Sequence, residues 1–313
     1  MNIIITGALG HIGSELIRNI DDLDFDNIIL IDNLSSQRYS SLFNLPVKKN
    51  VNFLNLDISK VDISEHIASE DIVVHLAAIT NASASINNKS QVEENNLSGT
   101  INASNAALKN KAKLIFPSST SVYGTSDTIV YEDSPMNNLK PQSPYAETKL
   151  SEERYISSLG EQGLRYIICR FGTIFGPSIG MRFHTAVNKF CFDAVLGQKI
   201  EVWETAYNQF RPYLGLNDCI MTIKFIIEKN LFLNSRFNIL TANYTVKDII
   251  DSISKVINKT EIKFVKSEIM NQLSYKVSNE KFKSTGFEFR DDLDNEIRET
   301  LKLFSPFLRK KFK

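Results

Sequence analysis

Residues 2–13 read Asn2-Ile3-Ile4-Ile5-Thr6-Gly7-Ala8-Leu9-Gly10-His11-Ile12-Gly13. The β-branched run at 2–6 has the length and composition of a buried parallel strand. Three glycines follow at Gly-x-x-Gly-x-x-Gly spacing, and Leu16, Ile17 and Ile20 then recur at helical spacing. Strand, glycine turn and helix make half of a dinucleotide-binding unit. Glycine is needed where the chain turns tightly, where backbone meets pyrophosphate and where helix packs on strand. The helix N-terminus adds N–H groups and a partial positive charge for phosphates. The spacing differs from the Gly-x-Gly-x-x-Gly fingerprint. Its place directly after a strand argues against an ordinary tight turn.

A second apolar run, Ile28-Ile29-Leu30-Ile31, ends in Asp32, 19 residues after Gly13. A carboxylate there accepts both ribose hydroxyls and repels a 2′-phosphate, which favours NAD over NADP. Arg38 would offset part of that repulsion. Strand-like runs at 2–6, 28–32, 52–56, 72–76, 113–117 and 165–171 alternate with helical stretches, among them 91–109 and 145–159. This alternation predicts an α/β chain with a Rossmann-type, doubly wound parallel sheet. After Phe171 the pattern breaks. A helix within 172–197, a strand at 199–203, a helix at 218–229 and a strand at 237–240 returning to the main sheet are expected. A further helix opens near 244–248, with Thr245 as a possible N-cap. The expected division is an NAD-binding domain of 1–171 with about 211–240, and a smaller, discontinuous α+β substrate domain of about 172–210 and 241–313.

The chemistry is carried by Ser118-Ser119-Thr120-Ser121-Val122-Tyr123-Gly124 and, further on, Tyr145-Ala146-Glu147-Thr148-Lys149. Tyr145 and Lys149 are four apart and share one face of a helix. A free phenol, with a pKa of about 10, is a poor base near neutrality. A neighbouring ammonium and a cationic nicotinamide would favour the phenolate. Ser119 could hold a substrate hydroxyl between itself and that phenol. Tyr-x-x-x-Lys by itself is common on helix surfaces, and its weight here comes from the glycine turn and Asp32.

With these motifs in this order, the chain resembles the extended short-chain dehydrogenase/reductase family, and within it the UDP-galactose 4-epimerase-like nucleotide-sugar epimerases and dehydratases. Val73-Val74-His75-Leu76-Ala77-Ala78 resembles the fourth strand and the turn under the cofactor, and Asn55-Leu56-Asp57-Ile58 the adenine edge. Glu94-Asn95-Asn96-Leu97-Ser98-Gly99-Thr100 resembles the helix with a structural asparagine, Asn96. Pro141-Gln142-Ser143-Pro144-Tyr145 is similar to the segment that introduces the catalytic tyrosine. Arg170-Phe171-Gly172 with Phe175-Gly176-Pro177, and 211–218 starting at Arg211, resemble two substrate-side segments, the second supplying an arginine for the diphosphate. The chain departs from the family pattern at Thr173 and Phe175, in Gly180-Met181-Arg182-Phe183-His184-Thr185, and at 268–275, where an arginine has no counterpart.

The resemblance implies Ser119, Tyr145 and Lys149 as catalytic residues. It implies a cofactor set of Gly7, Gly10, His11, Ile12, Gly13, Asp32, Asn33, Asp57, Ile58, Leu76, Ala77, Ala78, Asn96, Ser118, Tyr145 and Lys149, with Ser118 beside the nicotinamide. The implied substrate set is Thr80, Ser119, Thr173, Arg182, His184, Trp203 and Arg211. His11 is expected to face solvent or phosphate, and His75 to be structural. For His184 with Arg182 a surface loop, and for Trp203 an interdomain anchor, stay open as the other reading. Glu132-Asp133 has no evident chemistry.

Family dehydratases carry carboxylates where this chain has Ser119-Thr120-Ser121, because elimination of water needs an added acid and base. Decarboxylation is disfavoured by the same absence, and no cysteine marks a fucose-synthase-like reductase. The expected function is therefore NAD-dependent epimerisation of a nucleotide-diphosphate sugar, by transient oxidation at C4 and return of the hydride. A nucleotide-sugar reductase or dehydrogenase comes second. A non-catalytic NAD-binding protein comes third, since it has no need of Ser119, Tyr145 and Lys149 together.

The 313 residues hold 36 basic and 36 acidic side chains, net charge +0, so neither nucleic acid nor a membrane surface is an expected partner. Entry straight into a core strand leaves no room for a signal peptide, no apolar run reaches membrane-spanning length, and a cytoplasmic location is expected. Cys169, Cys191 and Cys219 lie in apolar segments without metal-ligand spacing, and no metal is expected. Arg309, Lys310, Lys311 and Lys313 read as a solvated tail. By the same resemblance, helices 91–109 and 145–159, with Ala103, Ala106, Ala107 and Leu108, would pair across a twofold axis in a homodimer.

Overall fold

The computed structural model describes residues 1–80, 89–126, 128–135, 139–258, 260–266, 274–304 and 306. The basic tail and most of 268–275 lie outside the described residues. Strand β1 (Asn2–Thr6) runs through the glycine turn into helix α1 (His11–Arg18), followed by β2 (Asn27–Asp32), β3 (Asn50–Asn55) and β4 (Ile72–His75). Then come α2 (Lys89–Lys109), β5 (Lys113–Ser119), the short β6 (Ile129–Val130), α3 (Pro144–Gly160) and β7 (Arg165–Phe171). The remainder is β8 (Thr173–Phe175), α4 (Ala186–Val195), β9 (Ile200–Trp203), β10 (Phe210–Gly215), α5 (Leu216–Glu228), β11 (Ser235–Ile239), β12 (Ala242–Thr245), α6 (Val246–Ser254), β13 (Ile262–Val265), β14 (Lys276–Val277), α7 (Glu280–Lys283) and α8 (Leu293–Leu303).

The large sheet has seven strands in the order β11-β7-β5-β4-β1-β2-β3, and every pairing is parallel. Strands buried on both faces explain the unbroken apolar runs that the sequence shows. Ile3, Ile5 and Leu30 pack on one face with Leu16 and Ile17 of α1 and Ile223 of α5. Ile4, Val73 and Phe116 pack on the other with Ala103 and Ala107 of α2 and Ile156 of α3. Each fully buried aliphatic side chain contributes roughly 1.5–3 kcal/mol. Strand order reverses between β1 and β4, and a crevice opens at that switch point beyond the carboxyl ends of the strands.

A second apolar cluster joins Val187 and Phe190 of α4, Ile249 and Ile253 of α6 and Ile297 and Leu301 of α8. Two segments sit differently from the division read in the sequence. Strand β10 pairs with β8 and β12 in a separate three-stranded sheet, so the chain rejoins the large sheet only at α5 and β11. Phe282, Phe287 and Phe289 pack on the large-sheet core beside Phe225 and Phe237, covering apolar surface that α5 and β11 would otherwise expose. Thr245 caps α6 in a full capping box with Asp248. Among the described residues no helix is long and apolar enough to cross a membrane, and no three His, Cys, Asp or Glu side chains are grouped to hold a metal.

Candidate functional site

A cleft of about 1130 Å³ opens at the switch point between the two parts of the molecule. It is lined by every residue of the three expected sets except Asn96. At its floor Gly7 has φ +64°, and a Cβ there would stand 2.6 Å from the backbone nitrogen of Ala77. A Cβ on Gly13 would meet the Ala8 carbonyl oxygen at 2.4 Å. Gly7 is thus required for the β1–α1 turn to lie against the turn after β4, and Gly13 for α1 to pack on the turn that precedes it. Gly10, the extended N-cap of α1, offers no side-chain cap, so the helix start presents backbone N–H groups.

Asp32 ends β2, and its carboxylate accepts N–H groups from Leu9 at 3.1 Å and Leu34 at 2.9 Å. Those bonds hold the acid beside the glycine turn, with Asn33 next to it in the lining. Arg38 also lines the cleft. Burial pushes its pKa down, opposed by Asp32. Asp57 accepts from the Ser59 hydroxyl at 2.6 Å and pairs with Lys60 at 3.2 Å. These partners outweigh burial and hold its carboxyl below the usual range. A dinucleotide fits this floor: Gly7, Gly10 and Gly13 with the start of α1 would hold a pyrophosphate. Asp32 and Asn33 would hold a ribose, and Asp57 and Ile58 an adenine edge.

Three of the expected cofactor residues have polar atoms bonded within the protein. Asn96 is buried behind the cleft wall, where its amide accepts from the Ile79 N–H at 2.8 Å and donates to the Ile79 carbonyl at 2.9 Å. It shapes the strand-end turn. His11 is 3% exposed and lines the cleft between Gly10 and Ile12 without facing open solvent. Its Nε2 meets the Gly176 carbonyl at 2.9 Å, and burial, then Arg182, push its pKa down to about 3. Ser118 lines the cleft, but its hydroxyl donates to Glu153 at 2.5 Å. His75 is buried between the hydroxyls of Thr6 and Thr100.

Ser119 comes from β5, and Tyr145 and Lys149 from α3. Ser143 caps α3 by accepting the Ala146 N–H at 3.2 Å, and Pro144 presets its first turn. Tyr145 therefore sits in the first turn, at the cleft. Lys149 follows one turn later, 3% exposed, with Nζ 5.9 Å from the Tyr145 ring centroid and 4.5 Å from that of Phe116. Of the hydroxyls at 118–121, those of Ser118 and Thr120 are engaged by Glu153 and the Phe171 carbonyl. Ser119 Oγ contacts Ser121 Oγ at 2.8 Å, and both line the cleft.

Two buried carboxylates behind these groups were not read from the sequence. Glu153 receives Arg170 through two bonds, Nε at 2.9 Å and Nη2 at 2.7 Å, and Arg170 Nη1 donates to the Tyr123 hydroxyl at 2.9 Å. Glu152 faces Lys149 Nζ at 3.1 Å and accepts from Thr100 at 2.7 Å. Both acids follow Lys149 at helical spacing on the stripe that carries Ile156, a signal available in the sequence. Glu132, read as lacking chemistry, is buried and accepts the Asn238 N–H at 2.8 Å.

The cleft lining also holds cations. These are Arg182, Lys189 and Arg211, with Thr80, Thr173, Trp203 and Glu201 in the same lining. Arg182 donates to Thr80 Oγ1, and its Nε is buried without a hydrogen bond. His184 reaches solvent at the rim. Desolvation by the cleft walls, then Arg182 and Arg38, push its pKa down to about 4, so it is neutral near pH 7. Arg211 extends from β10, and Trp203 ends β9.

The chain is 28% identical over 324 residues to a trifunctional UDP-glucose 4,6-dehydratase/UDP-4-keto-6-deoxy-D-glucose 3,5-epimerase/UDP-4-keto-L-rhamnose-reductase of Arabidopsis thaliana, covering 96% of this chain and 46% of that protein. It thus spans about half the length of the plant relatives it matches. It is 29% identical over 222 residues to a putative UDP-glucose 4-epimerase of Methanocaldococcus jannaschii, covering 69% of this chain and 70% of the relative. Among solved structures, a UDP-N-acetylglucosamine 4-epimerase from Methanobrevibacter ruminantium, in complex with UDP-N-acetylmuramic acid, superposes with a TM-score of 0.87 at 26% identity, over 97% of this chain and 98% of that one. The fold is shared with a Thermus thermophilus UDP-glucose 4-epimerase in complex with NAD, TM-score 0.84 at 21% identity, over 97% and 99% of the two chains. The family model for the NAD dependent epimerase/dehydratase family matches residues 3–239, the span that builds the glycine turn, Asp32, the serine run and the Tyr145/Lys149 helix. The chain belongs to that family, and its cofactor is NAD.

Proposed function

We propose that this chain is an NAD-dependent 4-epimerase of a nucleotide-diphosphate sugar. The observation that carries the reading is the cleft itself: Ser119, Tyr145 and Lys149 share it with the glycine turn and with Arg182, Lys189 and Arg211. When bound, NAD supplies a hydride acceptor that can also return the hydride. Ser119 orients the C4 hydroxyl, and Tyr145 takes its proton as C4 is oxidised and gives it back after the sugar has turned. The Lys149 ammonium favours the phenolate. Arg211 and Arg182 hold the diphosphate, since a guanidinium binds two phosphate oxygens at once and stays charged. Trp203 stacks on the base. Thr80 and Thr173 line the sugar end.

Epimerisation is preferred to dehydration because 119–121 offer hydroxyls only. Elimination needs a further acid and base beside the phenol. The outward sides of α2 and α3, which pack side by side on one face of the sheet, support a twofold homodimer. Sedimentation of a monomer at working concentration would count against that assembly.

The test is incubation of NAD-loaded protein with UDP-N-acetylglucosamine and, separately, UDP-glucose. Conversion of one of them to its 4-epimer without net NADH is expected, with Arg211→Ala raising KM and leaving NAD affinity unchanged. A 4-keto-6-deoxy product, or stoichiometric NADH, would replace this reading with dehydration or net oxidation.

A further inference from the structure

Lys149 does not stand free beside Tyr145. Its ammonium lies 3.1 Å from Glu152 Oε2, on the next turn of the same helix, and both side chains are buried. The other oxygen, Oε1, accepts the Thr100 hydroxyl at 2.7 Å. A carboxylate only accepts and a hydroxyl has one proton to give, so Thr100 accepts from His75 Nε2 at 3.2 Å. His75 Nδ1 then accepts from Thr6 Oγ1 at 2.8 Å. The donors run in one direction, from Thr6 at the end of β1 through His75 and Thr100 to Glu152. Burial pushes the His75 pKa down to about 3, so the ring sits neutral in this chain. Three oriented dipoles thus support a carboxylate in the interior, where it would otherwise be costly.

Glu152 Oε2 meets Lys149 Nζ in a buried ion pair at 3.1 Å and has no other hydrogen-bond partner. The groups facing Lys149 are Glu152 and Glu153 on its own helix, the Tyr145 phenol, His75 from β4 and the Phe116 ring from β5. Glu153 is neutralised by Arg170 from β7 at 2.7 Å. Arg182 also interacts electrostatically with Tyr145. Glu152 is the carboxylate in this set whose charge is balanced by Lys149.

We propose that Glu152 is a positioning residue of this site, a buried counter-charge that draws the Lys149 ammonium toward the helix and restrains ionisation of the Tyr145 phenol. The inference rests on the reading of Tyr145 as the base. Burial works against the charge on Lys149, but Glu152, Tyr145 and Glu153 together hold its pKa above the usual lysine value.

Glu152→Gln keeps the shape and the oxygen that accepts from Thr100; it removes the charge and sets an amide N–H₂ in place of Oε2 beside the Lys149 ammonium. At an effective dielectric near 20 and a separation on the order of 10 Å, losing one negative charge favours the phenolate about tenfold. The readout is phenolate ultraviolet absorbance of NAD-loaded protein against pH, taken as the difference from protein that also carries Tyr145→Phe. The Tyr145 signal is expected to appear about one pH unit lower in Glu152→Gln than in the parent. An unchanged midpoint, or one displaced upward, would overturn the proposal. Should Glu152→Gln be recovered unfolded, Glu152→Asp withdraws the charge by one methylene and is expected to give a smaller shift of the same sign; no shift there counts against it equally. The base assignment is checked separately. If Tyr145→Phe turns over the nucleotide sugar as fast as the parent, that reading fails whatever the absorbance shows.

Discussion

Glu153→Gln is the substitution whose cost follows most directly from the geometry around the site. Glu153 and Arg170 are both 0% exposed. Three donors converge on the carboxylate: Arg170 Nε at 2.9 Å, Arg170 Nη2 at 2.7 Å and Ser118 Oγ at 2.5 Å. The pair ties α3, which carries Tyr145, to β5, which carries Ser119, and to β7. Glutamine keeps the volume but leaves a buried guanidinium without its counter-ion and sets an amide N–H₂ against it. Removing one partner of a buried pair costs about 3–5 kcal/mol. At about 2 °C per kcal/mol for a chain of this size, the midpoint should fall by about 8 °C. Urea denaturation and thermal melting of NAD-loaded protein both read it. Glu153→Leu with Arg170→Met removes both charges and should regain most of the loss, since a matched apolar pair often does as well as a buried ion pair. A Glu153→Gln protein within about 1 kcal/mol of the parent would refute the claim that this pair braces the site.

Tyr145→Phe removes only the titrating oxygen and should lower kcat by about 100-fold or more with melting unchanged; near-native turnover would displace Tyr145 as the base. Asp32→Ala should narrow the preference for NAD over NADP, with Arg38 already in the lining to meet a 2′-phosphate; a parent protein that binds both dinucleotides equally would contradict the role given to Asp32. Acid should destabilise the fold. His11 and His75 have pKa values pushed down to about 3, below the unfolded value of about 6.5, so the unfolded chain takes up protons first. Their contribution is complete above about pH 6.5 and is lost on the way down to about pH 3, at about 2 kcal/mol per histidine by pH 5. Melting that is flat between pH 7 and pH 5 would argue against buried neutral imidazoles.

The cofactor side of the cleft could be read from the chain because its signals are local. Gly7 to Gly13 and Asp32 lie within one strand–helix–strand unit, and the turn after β4 follows its own apolar run. What the sequence hid depends on distant partners. The His11 partner is invisible locally, because the Gly176 carbonyl is 165 residues away. Glu152 and Glu153 pass for surface charges, the usual fate of glutamates in a helix; their burial follows from Thr100 and Arg170, 52 and 17 residues distant. Asn96 holds the turn after β4 through the Ile79 backbone, while its neighbour Asn95 lines the cleft. The segment from Arg211 resembles a cleft strand, yet its hydrogen bonds go to β8 and β12, a pairing that no local pattern specifies.

The central claim, epimerisation at C4 with Tyr145 as the base, is tested most directly with UDP-N-acetylglucosamine or UDP-glucose deuterated at C4. NAD-loaded protein is incubated in ordinary water and both epimers are analysed by nuclear magnetic resonance. Oxidation and return of the same hydride leaves the deuterium at C4 of the product, with no label lost to solvent and no net NADH, and Tyr145→Phe abolishes the conversion. Deuterium washed out of C4, label moved to C6 of a deoxy sugar, or epimerisation that survives Tyr145→Phe would contradict it.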